Sequence, residues 1–267
     1  MSQEKVGGPV ETYEFLDSWA QIGHFANPHP GAFFSVEEML EEMRHSGVAE
    51  AAVHHAFALH FDPDEGNLRT LDAIKGRREF LPVWVFAPHF GQPPDNVGKQ
   101  IEQMLRSGSR IARMRFSEEF SARGLDPVLH YNILSALEVH SIPLSLDYDN
   151  PGIPPGEWEA LDAALERFHS LPVILSAPRF QEENARMFGR LARFPNLFIE
   201  TSGLESFEGV ELITQRFGSR RLIFGARSPY FNAAVAVFRI LFAGVRDEDK
   251  KAIAGDNLRS LMQSVRI

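Results

Sequence analysis

The chain contains no cysteine, which excludes disulfides and thiolate-bound metal together. No apolar run approaches the roughly 18 residues that a membrane-crossing helix needs. There is no long basic run either: 27 Lys and Arg against 36 Asp and Glu give a formal charge of −9. Nucleic acid and anionic membranes are therefore not expected as partners. A phosphate-cradling glycine loop is missing, because Gly7-Gly8-Pro9 and the isolated glycines read as turns. No Gly-x-Ser-x-Gly elbow occurs, so a serine hydrolase of the α/β type has no support. Residues 1–14 are polar and lack the apolar centre of a secretory signal. The expectation is a cytoplasmic protein.

What is present is a large apolar fraction, 44% of 267 residues, enough for a sizeable core. Short β-rich runs alternate with longer amphipathic stretches. Strands are expected at 15–22, 50–56, 81–87, 110–116, 143–148, 171–177, 197–202 and 221–226. Several are continuous apolar runs, as parallel strands under helices are. Ser35-Val36-Glu37-Glu38 opens a helix with a capping box, and Gly47 closes it. Helical patterns follow at 67–78, 97–107, 126–140, 157–169, 181–193 and 207–217. Asp126-Pro127 reads as an N-cap followed by proline at the first helical position. A last helical segment opens at Asp247. Eight strand–helix units in one domain predict a closed (β/α)8 TIM barrel over residues 15–267, after an N-terminal segment 1–14. An open doubly wound sheet is the alternative.

Two stretches carry a family resemblance. Residues 16–23, Leu-Asp-Ser-Trp-Ala-Gln-Ile-Gly, and 222–229, Leu-Ile-Phe-Gly-Ala-Arg-Ser-Pro, resemble barrel-strand motifs of amidohydrolase-related TIM barrels. There the first usually runs Ile-Asp-x-His-x-His-x-Gly and the second Phe-Gly-Thr-Asp-Ser-Pro. Residues 250–261, Lys-Lys-Ala-Ile-Ala-Gly-Asp-Asn-Leu-Arg-Ser-Leu, look like the family's terminal helix. The resemblance implies a metal site at the strand ends, yet the positions have changed. Trp19 and Gln21 stand where the two histidines would be, Ala177 where the sixth strand carries histidine, and Arg227 where the eighth carries aspartate. The fifth-strand histidine aligns near Asp147. Trp, Gln and Ala are not usual ligands, and a guanidinium repels a dication. No metal and no other cofactor is expected.

In a TIM barrel, function gathers at the C-terminal strand ends. The residues there are polar and rich in arginine, which suits bidentate capture of carboxylate. Asp147 is assigned as general base, His55 as proton shuttle, and Arg227 as a catalytic oxyanion or anion binder. Arg115, Arg113, Gln21, Trp19, Arg179, Tyr148, Glu200 and Tyr230 are the substrate-binding candidates. Arginine here also reads as one half of an internal salt-bridge network filling the space of a lost metal. His54 and His55 are adjacent in a strand, so at most one faces the barrel interior. The first reading is a metal-independent hydrolase for a small anionic lactone or amide, for which the 2-pyrone-4,6-dicarboxylate lactonases offer a family precedent. The second is a catalytically silent barrel that binds a small molecule or a partner. The third is a metal hydrolase or decarboxylase with a site rebuilt from His24, His29, His54, His55, His60 and His89, whose spacings fit no tight metal motif. A homo-oligomer is compatible with all three.

Overall fold

The computed structural model describes residues 13–25, 28–87, 96–116, 124–148, 153, 155–176, 184–204, 206 and 208–267. Eight parallel strands follow one another around a sheet in chain order. They are β1 (Phe15–Ile22), β2 (Val48–His55), β3 (Phe80–Val85), β4 (Ile111–Phe116), β5 (Leu144–Tyr148), β6 (Val173–Ser176), β7 (Leu197–Glu200) and β8 (Leu222–Ile223). The stretch after β8 returns to β1. Ser18 N–H donates to Phe224 O at 3.0 Å, and Gln21 N–H to Ser228 O at 2.9 Å. This closes the barrel. All eight expected strands form, within a few residues of their anticipated limits.

Helices alternate with the strands: α1 (Val36–Ser46), α2 (Ala56–His60), α3 (Pro63–Ala73), α4 (Val97–Arg106), α5 (Tyr131–Val139), α6 (Pro155–Arg167), α7 (Asn184–Arg193), α8 (Gly209–Phe217), α9 (Ala233–Leu241), α10 (Asp247–Lys251) and α11 (Asn257–Gln263). None is long and apolar enough to cross a membrane among the described residues. The α1 capping box is present, with Ser35 Oγ accepting from Glu38 N–H and Glu38 from Ser35 N–H. Gly47 ends the helix at φ +81°, a backbone conformation glycine adopts without penalty.

Three local expectations need correcting. Helix α3 starts at Pro63, ahead of the expected 67, because Asp62 caps it and proline occupies its first turn. Asp126 caps a separate turn through Val128 N–H and Leu129 N–H, and α5 begins only at Tyr131. Helices α2 and α9 were not anticipated. Helix α2 has only five residues, and α9 is apolar apart from Arg239 and follows directly on the loop after β8.

Strand alternation sorts the core into layers. Inside the barrel, the N-terminal end is apolar: Leu16, Ala52, Val83, Ile111, Ile174 and Ile223 cluster with Leu258 of α11. The opposite strand faces, including Ala51, Val53, Trp84, Met114, Leu146, Leu175 and Ile199, pack under the helices. The C-terminal half of the interior is polar, and there the candidate residues meet. In β1, two residues stand against one of β2 between Asp17 and Ala20, a bulge. It switches the side-chain parity, so Leu16 lies in the lower layer while Trp19 and Gln21 face inward above.

Helices α2 and α3 fold back on each other beside the barrel mouth. A Cβ on Gly66 would lie 2.2 Å from the Ala58 backbone, so the contact has no room for a side chain. Gly66→Ala is expected to lower stability by about 1–3 kcal/mol, read as a shift in the urea midpoint at unchanged slope.

Candidate active site

Parallel pairing brings the polar layer to one height. Gln21 is in register with His54, Arg113 with Ser145, Arg115 with Asp147, and Asp147 with Ser176. Register neighbours in a parallel sheet share a face, so these side chains converge.

The centre is a buried ion pair. Arg227 Nη2 lies 2.9 Å from Asp147 Oδ1, with both side chains almost wholly enclosed. The N–H is not aimed along the acceptor direction, so this is a charge contact and not a hydrogen bond. The other oxygen, Oδ2, accepts from Trp19 Nε1 at 3.1 Å. The Trp19 ring has the Arg113 and Arg227 guanidinium carbons each 5.0 Å from its centroid, within cation–π range. Glu200 is also buried and accepts from Ser176 Oγ, Ser202 Oγ and Ser202 N–H. Ser176 in turn lies 3.4 Å from Arg227 Nη1. Arg227 adopts φ +56°, an uncommon conformation for a residue with a side chain, at a cost of order 1–3 kcal/mol.

A second chain of contacts has a fixed direction. Arg113 Nη1 donates to His54 Nδ1 at 2.7 Å, and Nη2 to Ser18 O at 2.8 Å. A guanidinium has no acceptor, so His54 Nδ1 carries no proton and Nε2 does. Nε2–H donates to Gln21 Oε1 at 3.2 Å, and Gln21 Nε2 donates to the Tyr230 hydroxyl at 3.2 Å. Tyr230 is thereby left with its own proton to give. Burial, with the Arg113 cation beside it, pushes the His54 pKa well down, so it stays neutral. Burial also brings Arg113 down to about 10, still charged at neutral pH.

The rim of this layer is made by Arg115, His60 and Tyr230. Arg115 Nη1 lies 3.3 Å from His60 Nε2. Burial and the Arg115 charge lower His60 to about 4, against a smaller opposing pull from Asp147. Tyr230 packs against Phe25 and Trp19, at 4.6 and 5.6 Å between ring centroids. The β1–α1 loop is clasped to the eighth-strand loop by His29, whose two ring nitrogens face Pro30 O and Pro229 O. Only the imidazolium donates to both, and these two contacts raise its pKa. The Ser228–Pro229 peptide is cis.

The structure thus brings together Trp19, Gln21, Arg113, Arg115, Asp147, Glu200, Arg227 and Tyr230. It does not bring all of them within a ligand's reach. Trp19, Gln21 and Arg113 are fully buried, and the donor atoms of Arg113 are committed to His54, Ser18 and Ser145. As they stand, these three side chains hold other groups of the layer in place. Tyr148 points to the helix layer against Phe116, because it alternates with inward Asp147, and it does not join the site. His55, expected as proton shuttle, is placed away from this layer. Its Nδ1 accepts from Phe57 N–H at the start of α2, and its ring packs on Gly23. His54 is the inward member of the pair. His60, considered only for a rebuilt metal site, stands at the rim beside Arg115, because α2 carries it to the mouth and no sequence period marks α2. Arg179, Ala177 and His89 lie outside the described residues.

The donor set does not suit a divalent metal. No group of three His, Asp or Glu side chains that could hold one exists among the described residues. His54 is taken by Arg113 and Gln21, and Asp147 by a cation and an indole. Two buried guanidinium groups flank the position. Among the described residues a site rebuilt from histidines is not supported either: His24 stacks on Phe34, while His29 and His55 are tied to loop and helix backbone.

A parallel eight-stranded barrel with a polar cluster at its C-terminal mouth defines the class, a TIM-barrel protein. The family model for amidohydrolases, Amidohydro_2, matches residues 27–261, and the chain belongs to that family. Among solved structures, 2,6-dihydroxybenzoate decarboxylase from Rhizobium is similar at TM-score 0.74 and 16% identity, covering 94% of this chain and 98% of that one. A TIM-barrel protein of unassigned function from Bordetella bronchiseptica gives TM-score 0.73 and 17% identity, covering 94% and 99%. A dihydroxybenzoic acid decarboxylase from Polaromonas, solved with bound manganese and 2-nitroresorcinol, gives 0.71 and 13%, covering 94% and 97%. At these identities the likeness shows the shared fold. No curated protein matches the sequence significantly.

Asp17 clasps the barrel seam, with Oδ1 accepting from Trp19 N–H and Ala226 N–H at 2.8 Å each. Burial outweighs these bonds and pushes its pKa up to about 7. An acid raised this way binds its proton more tightly folded than unfolded. The resulting stability is complete below about pH 4 and is lost as pH rises towards 7, by roughly 4 kcal/mol for about three pK units. Asp17→Asn keeps the acceptor without the charge. Its unfolding free energy is expected to fall less steeply than wild type between pH 4 and 7 in denaturant titrations; parallel curves would refute the assignment.

Proposed function

We propose that the protein is a hydrolase that works without a resident metal, on a small anionic lactone or amide. The observation that carries this reading is the Arg227–Asp147 pair at the barrel mouth, in the place where family members resembling this chain carry a metal-binding aspartate. Arg227 and Arg115 bind the substrate's carboxylate and the developing oxyanion. When substrate draws Arg227 towards itself, Asp147 Oδ1 is released to take a proton from water. The resulting hydroxide adds to the carbonyl carbon, the carbon–oxygen or carbon–nitrogen bond breaks, and Tyr230 gives its proton to the leaving group. Tyr230 regains a proton from solvent, and so Asp147 loses its own. The fixed chain from Arg113 through His54 and Gln21 supports Tyr230 as the donor, and the strained Arg227 backbone supports a poised cation. The decarboxylases named above are a family connection only; decarboxylation stays a competing reaction for the same pocket, since a carboxylated substrate suits it too.

A silent binding barrel is favoured by one observation: Asp147, Glu200, Arg113 and Arg227 already satisfy one another or nearby donors and acceptors. Turnover separates the readings. A panel of carboxylated lactones and amides, assayed with chelator present, is expected to give hydrolysis. Tyr230→Phe should lower kcat about a hundredfold or more with little change in KM. Asp147→Asn should abolish turnover while the circular dichroism spectrum is kept. No product from the panel, or full activity in Asp147→Asn, defeats the proposal. Carbon dioxide release in place of hydrolysis would favour the decarboxylase reading.

A further inference from the structure

Helix α9 follows the eighth-strand loop just after Tyr230, and large apolar side chains at and around it are exposed. Phe231, Val235, Phe238 and Phe242 are 43%, 60%, 55% and 81% exposed. The helical spacing of three and four places Val235, Phe238 and Phe242 along one ridge, with Phe231 just ahead of the helix, and the Phe238 and Phe242 rings lie 5.8 Å apart. The opposite side of the helix is apolar as well, with Ala233, Ala236, Val237 and Ile240 buried against the barrel. Across residues 231–242 Arg239 is the single charged residue. It turns under the helix and donates to Thr201 O and Ser202 O. An apolar surface on both sides is what a covered helix shows.

We infer that this ridge is the contact between two copies of the chain, a symmetric dimer. Three features favour a second copy as occupant. The four side chains leave roughly 450 Å² of apolar surface in water, taking about 150–250 Å² for a whole aromatic. Doubled by a twofold axis, the ridge supplies roughly 900 Å², most of the smallest interface of a stable complex at about 1,200 Å². The chain carries a net charge of −9, so copies repel over most of their surface, but the ridge has no charge to repel or to leave buried unpaired. A charged partner would find nothing there to recognise. A ridge of rings spaced about one helical turn apart is also complementary to itself, as an isologous contact requires. The inference is independent of the proposed chemistry.

Sedimentation velocity or light scattering at micromolar concentration tests it. Wild type is expected at twice the 30.1 kDa chain mass. The double variant Phe238→Glu with Phe242→Glu should run as a single chain, its dissociation constant raised at least about a hundredfold, with circular dichroism unchanged. Should that variant fold poorly, Phe242→Ser, at the most exposed position of the ridge, is expected to weaken the dimer in the same direction. Leu129→Glu, an exposed apolar position on another face, should leave the mass at two chains. A monomeric wild type would overturn the inference. So would a folded ridge variant that keeps the wild-type mass, or dissociation by Leu129→Glu alone.

Discussion

The interior of this barrel is governed by one requirement: charges taken out of water must neutralise one another. Arg227 and Asp147 meet it as a direct pair, and the rest of the polar layer is arranged around them. Glu200 rests on two serines and a backbone N–H. Arg113 distributes its donors over His54, Ser18 and Ser145. Trp19 fills the space between the guanidinium groups and hands its N–H to Asp147. A buried pair of this kind contributes little net stability, because desolvation offsets attraction, but removing one partner leaves a costly bare charge. The layer is therefore hard to alter one residue at a time.

The frame around the layer divides the work by height. Below, aliphatic side chains from six strands and Leu258 make an ordinary core. Above, the same strands present polar groups, and the β1 bulge is what lets one strand serve both. Asp17 then holds the bulged strand to the segment after β8, next to the cis peptide and the strained Arg227. The barrel seam and the candidate active site are in this sense one piece of structure. A change at either alters the geometry of the other.

The proton assignments follow from the same logic. With no acceptor on Arg113, the tautomer of His54, the orientation of Gln21 and the free proton of Tyr230 are all fixed in turn. Among the described candidate residues, Arg115 and Tyr230 are part-exposed at the rim together with His60, while Arg227 is buried beneath them.

The sequence by itself determined the strands, their order and the charge character of the mouth. Each of these depends on local composition and spacing: apolar runs bounded by turns, and single residues within aligned motifs. It placed Trp19, Gln21, Asp147 and Arg227 in one neighbourhood because strand ends in this architecture converge. Which of two adjacent side chains looks inward was decided only by the tertiary structure, which chose His54 over His55 and turned Tyr148 away from Asp147. So was the arrival of His60, carried by a five-residue helix with no period to reveal it. Burial then separated Arg113 from Arg115, identical residues two positions apart on one face, by closing solvent over the first. The physical reason is the same in each case. Alternation and composition are properties of a single strand, whereas register, bulges and solvent exclusion exist only once eight strands have closed on one another.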